Sequence, residues 1–168
     1  GYFKKGGKYI PSLVAEIGEV VEQHLQEIGM LKKAGLDEHQ QKLVAEKKKV
    51  WDYYTMPEHI IHWNFASDDW CCPSASNDLR AGGMYIARME AKDGSFGFDF
   101  SVTYTEVIEG KSLSYEFGGR HAHIRFDQQE GQTDVIITFD PETENPIELQ
   151  KQGWQAILNN FKKYTETH

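Results

Sequence analysis

FDFSVTYTEVIEGKSLSYEFGGRHAHIRF, residues Phe98–Phe126, reads as three β-strands joined by two short turns. Successive strand residues point to opposite faces. Phe98, Phe100, Val102 and Tyr104 fall on one face, with Asp99, Ser101 and Thr103 on the other. Leu113, Tyr115 and Phe117 oppose Ser112, Ser114 and Glu116, and Ala122, Ile124 and Phe126 oppose His121, His123 and Arg125. Glu109-Gly110-Lys111 and Gly118-Gly119 are the turns. Strands so closely spaced pair only as antiparallel neighbours. The sheet therefore has one greasy face and one wet face.

The pattern extends in both directions. Met84 to Glu90 is a strand closed by the turn Lys92-Asp93-Gly94. After Glu130-Gly131, residues Thr133 to Phe139 put Val135, Ile137 and Phe139 against Asp134, Ile136 and Thr138. Asn145-Pro146-Ile147-Glu148 predicts a helix start, with Asn as the cap and Pro in the first position. Ile147, Gln150, Trp154, Ile157, Leu158 and Phe161 then recur at helical spacing. Residues 64–82 show no clear period and read as loops with one short strand.

A helix is about 10 Å across, whereas a sheet widens by nearly 5 Å per strand. One C-terminal helix cannot cover five or more strands, so residues such as Ile60, Trp63, Phe65 and Trp70 must close the flanks. The space is then a packed core or an apolar cavity. Strand parity and the helical face lead us to expect Trp63, Trp70, Tyr85, Met89, Phe98, Phe100, Tyr104, Tyr115, Phe117, Trp154 and Leu158 to line or border it. Arg120 shares parity with Ala122 and Ile124. It either reaches the pocket mouth, where a guanidinium can grip a carboxylate, or snorkels at the sheet edge.

The N-terminal part is different. Leu13, Val14, Ile17, Val20, Val21, Leu25, Ile28 and Leu31 form a helical stripe over residues 12–33. Asp37 with Gln40 is a capping box opening a second helix through Tyr54. Two helices joined by so short a turn form an antiparallel hairpin. Thr55-Met56-Pro57-Glu58 reads as a further capping box before a short helix carrying Ile60, Ile61 and Trp63. The stripe of the first helix exceeds what its partner can cover, so we expect a homodimer through that face or through an open sheet edge.

Charge narrows the partners. The net charge is −8; residues 1–56 hold nine Lys/Arg against eight Asp/Glu, and the remainder nine against eighteen. Nucleic acid would require a basic face, so it is not an expected partner. No apolar run approaches the roughly 20 residues that span a bilayer, and Gly1-Tyr2-Phe3-Lys4-Lys5 lacks a signal core. The expectation is a soluble, cytoplasmic protein with no membrane partner. Cys71 and Cys72 are adjacent and read as reduced thiols rather than as a disulfide or zinc set.

Val50-Trp51-Asp52-Tyr53-Tyr54-Thr55 followed by Pro57-Glu58-His59-Ile60-Ile61-His62-Trp63 resembles the start of domains related to the activator of heat-shock protein 90 ATPase, in the SRPBCC (START-like) superfamily. Asp78-Leu79-Arg80-Ala81-Gly82-Gly83, Asp93-Gly94, Tyr104-Thr105-Glu106-Val107, Gly131-Gln132-Thr133 with Val135, and Gly153-Trp154 occur in that family's order. The likeness covers roughly residues 48–165, making residues 48–168 the domain and 1–47 an appendage. It implies an α+β helix-grip fold, in which an antiparallel sheet wraps a long C-terminal helix. It also implies binding of apolar or amphipathic small molecules, or a role in stress or with a chaperone or client protein. Some relatives are cyclases or hydrolases. Such domains begin with a strand ending in Pro ahead of Val-Trp; here Ala45-Glu46-Lys47-Lys48-Lys49 continues a helix instead. The first strand is missing unless Lys8-Tyr9-Ile10 or another molecule supplies it.

No catalytic set stands out. His121 and His123 share a strand face with Arg125, and His59 and His62 lie at i, i+3, but neither pair has an evident third metal ligand. Asp68-Asp69 reads as a solvated loop pair, and no nucleophile elbow is present. We therefore expect a ligand-binding module with no metal, cofactor or catalytic residue. An enzyme of cyclase or hydrolase type using the same pocket is the alternative.

Overall fold

The computed structural model describes residues 36–129 and 131–168, together with the backbone of residues 3–5 and 8–10. The expected helix over 12–33, and with it the helical hairpin, lies outside the described residues. The chain divides into two units, Gly1–Gln41 and Lys42–His168.

In the first unit, β1 (Phe3–Lys5) pairs antiparallel with β2 (Lys8–Ile10). These two strands form a two-stranded sheet of their own. Helix α1 (Glu38–Thr55) starts in this unit, on the expected capping box. The Gln40 backbone N–H donates to Asp37 Oδ1 at 2.7 Å, and the Asp37 N–H donates back to Gln40 Oε1 at 3.1 Å.

The second unit holds the rest of α1, the short helix α2 (Pro57–Ile60), six strands and a final helix. The strands are β3 (Trp70–Asn77), β4 (Met84–Ala91), β5 (Gly97–Ile108), β6 (Ser112–Phe117), β7 (Arg120–Gln129) and β8 (Gln132–Phe139). They form one antiparallel sheet whose spatial order is the order of the chain. Helix α3 (Ile147–Thr167) packs on its inner face: Trp154 stacks on Phe139 with ring centres 5.2 Å apart, and Phe161 meets Trp63 at 4.9 Å. This is the α+β helix-grip arrangement. Among the described residues, no helix is long and apolar enough to cross a membrane.

Strand parity holds across the sheet. Leu113, Ala122 and Ile124 are buried, while His121, His123 and Arg125 are exposed. A register shift between Tyr104 and Glu106 adds a residue to β5. Such a bulge inverts the parity of the strand beyond it, which is how Val107 joins the core that Tyr104 also faces. Gly118 and Gly119 make the two-residue turn between paired Phe117 and Arg120, with φ of +57° and +76°. Mirror-image turns match the strand twist in so short a loop, and the type I′ form needs positive φ at both positions.

Three sequence expectations require correction. Residues 64–82 hold a full eight-residue strand, β3. Its pattern is broken by Pro73, which sits at a register shift between Cys71 and Ser74 on the sheet's edge, where a missing N–H is tolerated. Thr55 does not cap α2: it ends α1, and its hydroxyl donates to the Trp51 carbonyl at 2.8 Å. Asn145 does not cap α3 either. There the Glu142 carboxylate accepts the Asn145 N–H, and the Gln150 amide reaches back to the Glu142 and Asn145 carbonyls.

The parity of β7 and β8 sets a direct stability contrast. Ile124 is 0% exposed and Ile136 41%. Ile124→Ala should cost about 2–5 kcal/mol in urea unfolding, whereas Ile136→Thr should change stability by no more than about 0.5 kcal/mol.

Candidate functional site

Between the inner face of the sheet and α3 lies a cavity of about 330 Å³, at the lower end of the ~300–1,000 Å³ typical of small-molecule pockets. Strand direction grades it. On β5 the side chains run from exposed Phe98 through half-buried Phe100 to buried Tyr104, and on β6 Tyr115 and Leu113 are buried as well. The mouth is therefore at Phe98, Arg120, Glu142 and Gln150, and the floor at Tyr104, Tyr115, Leu113 and Ile60.

Of the expected lining, Trp63, Tyr85, Met89, Phe98, Phe100, Tyr104, Tyr115, Phe117, Arg120 and Trp154 do face this cavity. Trp70 and Leu158 do not, which corrects the sequence reading. Trp70 opens the edge strand β3, and its ring packs on Phe96 and Phe98 at 6.1 and 6.0 Å. The cavity face of α3 is Gln150, Gly153, Trp154 and Ile157, at i, i+3, i+4 and i+7. Leu158 is one residue further round, and it lines a separate, polar groove with Glu46, Lys49 and Lys162. Reading the sequence also missed Tyr54, Ile60, Asn64, Ala66, Leu113, Ile137, Glu142, Gln150, Gly153 and Ile157 as lining residues. Tyr54 was legible as three residues after Trp51 on α1. Glu142, in the connection before α3, carries no periodic signal.

The floor is apolar in bulk but carries hydroxyls. Asn64 Nδ2 donates to the Tyr85 hydroxyl at 2.7 Å. Burial holds the Tyr54, Tyr85 and Tyr115 phenols well above the ordinary value of 10.0, reinforced for Tyr85 by Cys72 and for all three by neighbouring phenols. Burial pushes Tyr104 up to about 12, with the Asn77 side chain opposing it. At the mouth, the Arg120 guanidinium lies over the Phe117 ring at 4.5 Å. Hydrogen bonds from Asn145 and from the Glu144 N–H hold the Glu142 carboxyl below its ordinary value, and the nearby Arg120 charge adds to them.

The other candidates lie elsewhere. His121 Nδ1 is 3.2 Å from Asp140 Oδ2, and His123 Nδ1 is 2.8 Å from Ser114 Oγ, both on the outer face. His59 contacts the Tyr164 hydroxyl at 3.0 Å and stacks on Tyr53; His62 stacks on Tyr164. Among the described residues, no three His, Cys, Asp or Glu side chains converge where they could hold a metal ion. Asp69 accepts from Ser67 Oγ at 2.5 Å and, like Asp68, is exposed. Cys71 and Cys72 are free thiols, and burial pushes Cys72 up to about 11, away from thiolate chemistry.

Comparison with known proteins matches this geometry. The family model described as Activator of Hsp90 ATPase homolog 1-like protein matches residues 44–166. The solution structure of the AHSA1-like protein from Aeromonas hydrophila is similar at 42% identity and a TM-score of 0.69, covering 72% of this chain and 85% of that one. A solution structure from Cytophaga hutchinsonii is similar at 48% identity and a TM-score of 0.63, with the same coverage. A Nitrosomonas europaea crystal structure shares the fold at 20% identity, a TM-score of 0.62 and coverage of 72% and 87%. No curated protein matches the chain.

The buried phenols dictate an alkaline limit. Folding favours their protonated forms, so the unfolded chain ionises first, near its ordinary 10.0. Stability should be full below about pH 10 and fall as pH rises through the range that ends, for Tyr104, at about 12. Urea unfolding across that range, with tyrosinate absorbance, checks this. Tyr115→Phe should make the decline shallower by up to about 1.4 kcal/mol per pH unit.

Proposed function

The chain belongs to the Activator of Hsp90 ATPase homolog 1-like protein family, and from that footing we propose that it binds an apolar or amphipathic small molecule between sheet and α3. The observation that carries this reading is Gly153. It sits in the interior of a 21-residue helix, where glycine is about 1 kcal/mol worse than alanine. Close packing does not require it, because a Cβ there would meet nothing within 4 Å. Its backbone instead borders the cavity. What glycine preserves at this position is open space, at a cost in helix stability. A sequence selected only for a packed core would place a larger apolar residue here and gain both helix propensity and burial.

Polarity also favours binding over turnover. The cavity groups are phenols held protonated, the Asn64 and Gln150 amides, and one cation and one carboxylate at the rim. None is paired as nucleophile and base. Apolar walls with a few convergent polar groups are the usual make-up of a ligand pocket.

Gly153→Leu separates cavity from scaffold. The variant should melt about 2–4 °C higher than the parent, or at least no lower. It should also bind the uncharged fluorophore N-phenyl-1-naphthylamine at least about tenfold more weakly. Equal binding by the two proteins would refute the cavity as the site.

A further inference from the structure

Four phenols converge at the cavity floor from three strands and a helix. Tyr104 of β5 and Tyr115 of β6 are directly opposite in register, with ring centres 6.2 Å apart. Tyr85 comes from β4 and Tyr54 from α1, and all four line the cavity. The Tyr85 hydroxyl already accepts from Asn64, which leaves its own proton to be donated elsewhere. Among the described residues, the Tyr54 and Tyr115 hydroxyls have no hydrogen-bond partner. Both side chains line the cavity, where a bound molecule is the acceptor open to them. An O–H held away from bulk water without an acceptor is unfavourable, and a matching acceptor relieves that penalty.

The charge around the cavity decides what kind of acceptor fits. Arg120 is the only cation lining it among the described residues, and it lies at the mouth, over Phe117 and near the Glu142 carboxylate. An anion at the floor would lose its hydration with no cation beside it. A neutral oxygen has no such requirement, and the flanking rings of Phe100, Phe117 and Trp154 suit a flat, aromatic body.

We propose that the floor is a donor site for a neutral oxygen, so that the ligand is an uncharged, mainly aromatic molecule bearing a carbonyl oxygen at its inner end, held by the Tyr54 and Tyr115 hydroxyls. This rests on the reading of the cavity as the ligand site.

The test is displacement of N-phenyl-1-naphthylamine by fluorene, 9-fluorenone and fluorene-9-carboxylate, three compounds on one ring frame. Fluorenone should bind up to about tenfold tighter than fluorene, and the carboxylate more weakly than either. In the variant combining Tyr54→Phe with Tyr115→Phe, the fluorenone advantage should vanish. Fluorene affinity should hold there, which also reports that the variant is folded. Should that variant fail to bind fluorene, Tyr115→Phe alone is measured, and it should lose at least half of the advantage on a logarithmic scale. Equal affinity of fluorene and fluorenone for the parent protein overturns the donor floor and leaves the cavity reading standing. Tightest binding by the carboxylate overturns it in favour of a head group at Arg120. Absence of fluorophore binding to the parent protein overturns both readings.

Discussion

A six-stranded antiparallel sheet is about 24 Å wide, and the one long helix on its inner face is about 10 Å across. That mismatch sets the rest of the second unit. The uncovered width has to be closed by side chains from the flanks, and here those are large and aromatic. Trp51 meets Phe126 at 5.1 Å, and Tyr54 packs between Trp63, Phe126 and Phe161 at 5.2 to 5.3 Å. These contacts close the end of the sheet nearest α1. Toward Phe98 and Phe117 no element among the described residues adds comparable cover, and the cavity lies there. Fold and cavity are thus two consequences of one geometric constraint.

Polarity within the cavity runs along the same axis. Deep positions combine aliphatic Leu113 and Ile60 with phenols, which fill volume and also supply a donor. Rim positions carry the charges, where water can still solvate Arg120 and Glu142. Neutral donors inside and ions at the boundary keep the desolvation cost of polar groups in an apolar space low. The same arrangement explains why burial raises every phenol at the floor while the rim carboxyl is lowered.

Most of this was legible in the sequence, because alternation along Phe98–Tyr104, Leu113–Phe117 and Ala122–Phe126 fixes which side chains share a face. Parity could not show where a face ends. Trp70 is apolar, but it opens the edge strand and packs on Phe96 and Phe98 rather than lining the cavity. Leu158 belongs to the helical stripe, yet a stripe wider than the cavity turns part of itself toward the β8 side. Caps were only partly readable. Asp37 and Gln40 satisfy each other locally, as the pattern requires. Thr55 is claimed by the turn before it, and Asn145 is displaced by contacts among Glu142, Gln150 and the backbone. Gly153 stands out in the sequence only as half of a family dipeptide; its physical meaning needs the cavity beside it.

The claim that this space is a ligand site is tested most directly by methyl NMR during titration with N-phenyl-1-naphthylamine. Ile60, Leu113, Ile137 and Ile157 place methyl groups on the cavity, whereas Leu158 and Ile136 lie off it. The account predicts saturable one-to-one shifts of the first four, with Leu158 and Ile136 essentially unmoved. Shifts confined to Leu158, Ile136 or other surface methyls, with the four cavity residues silent, would contradict it.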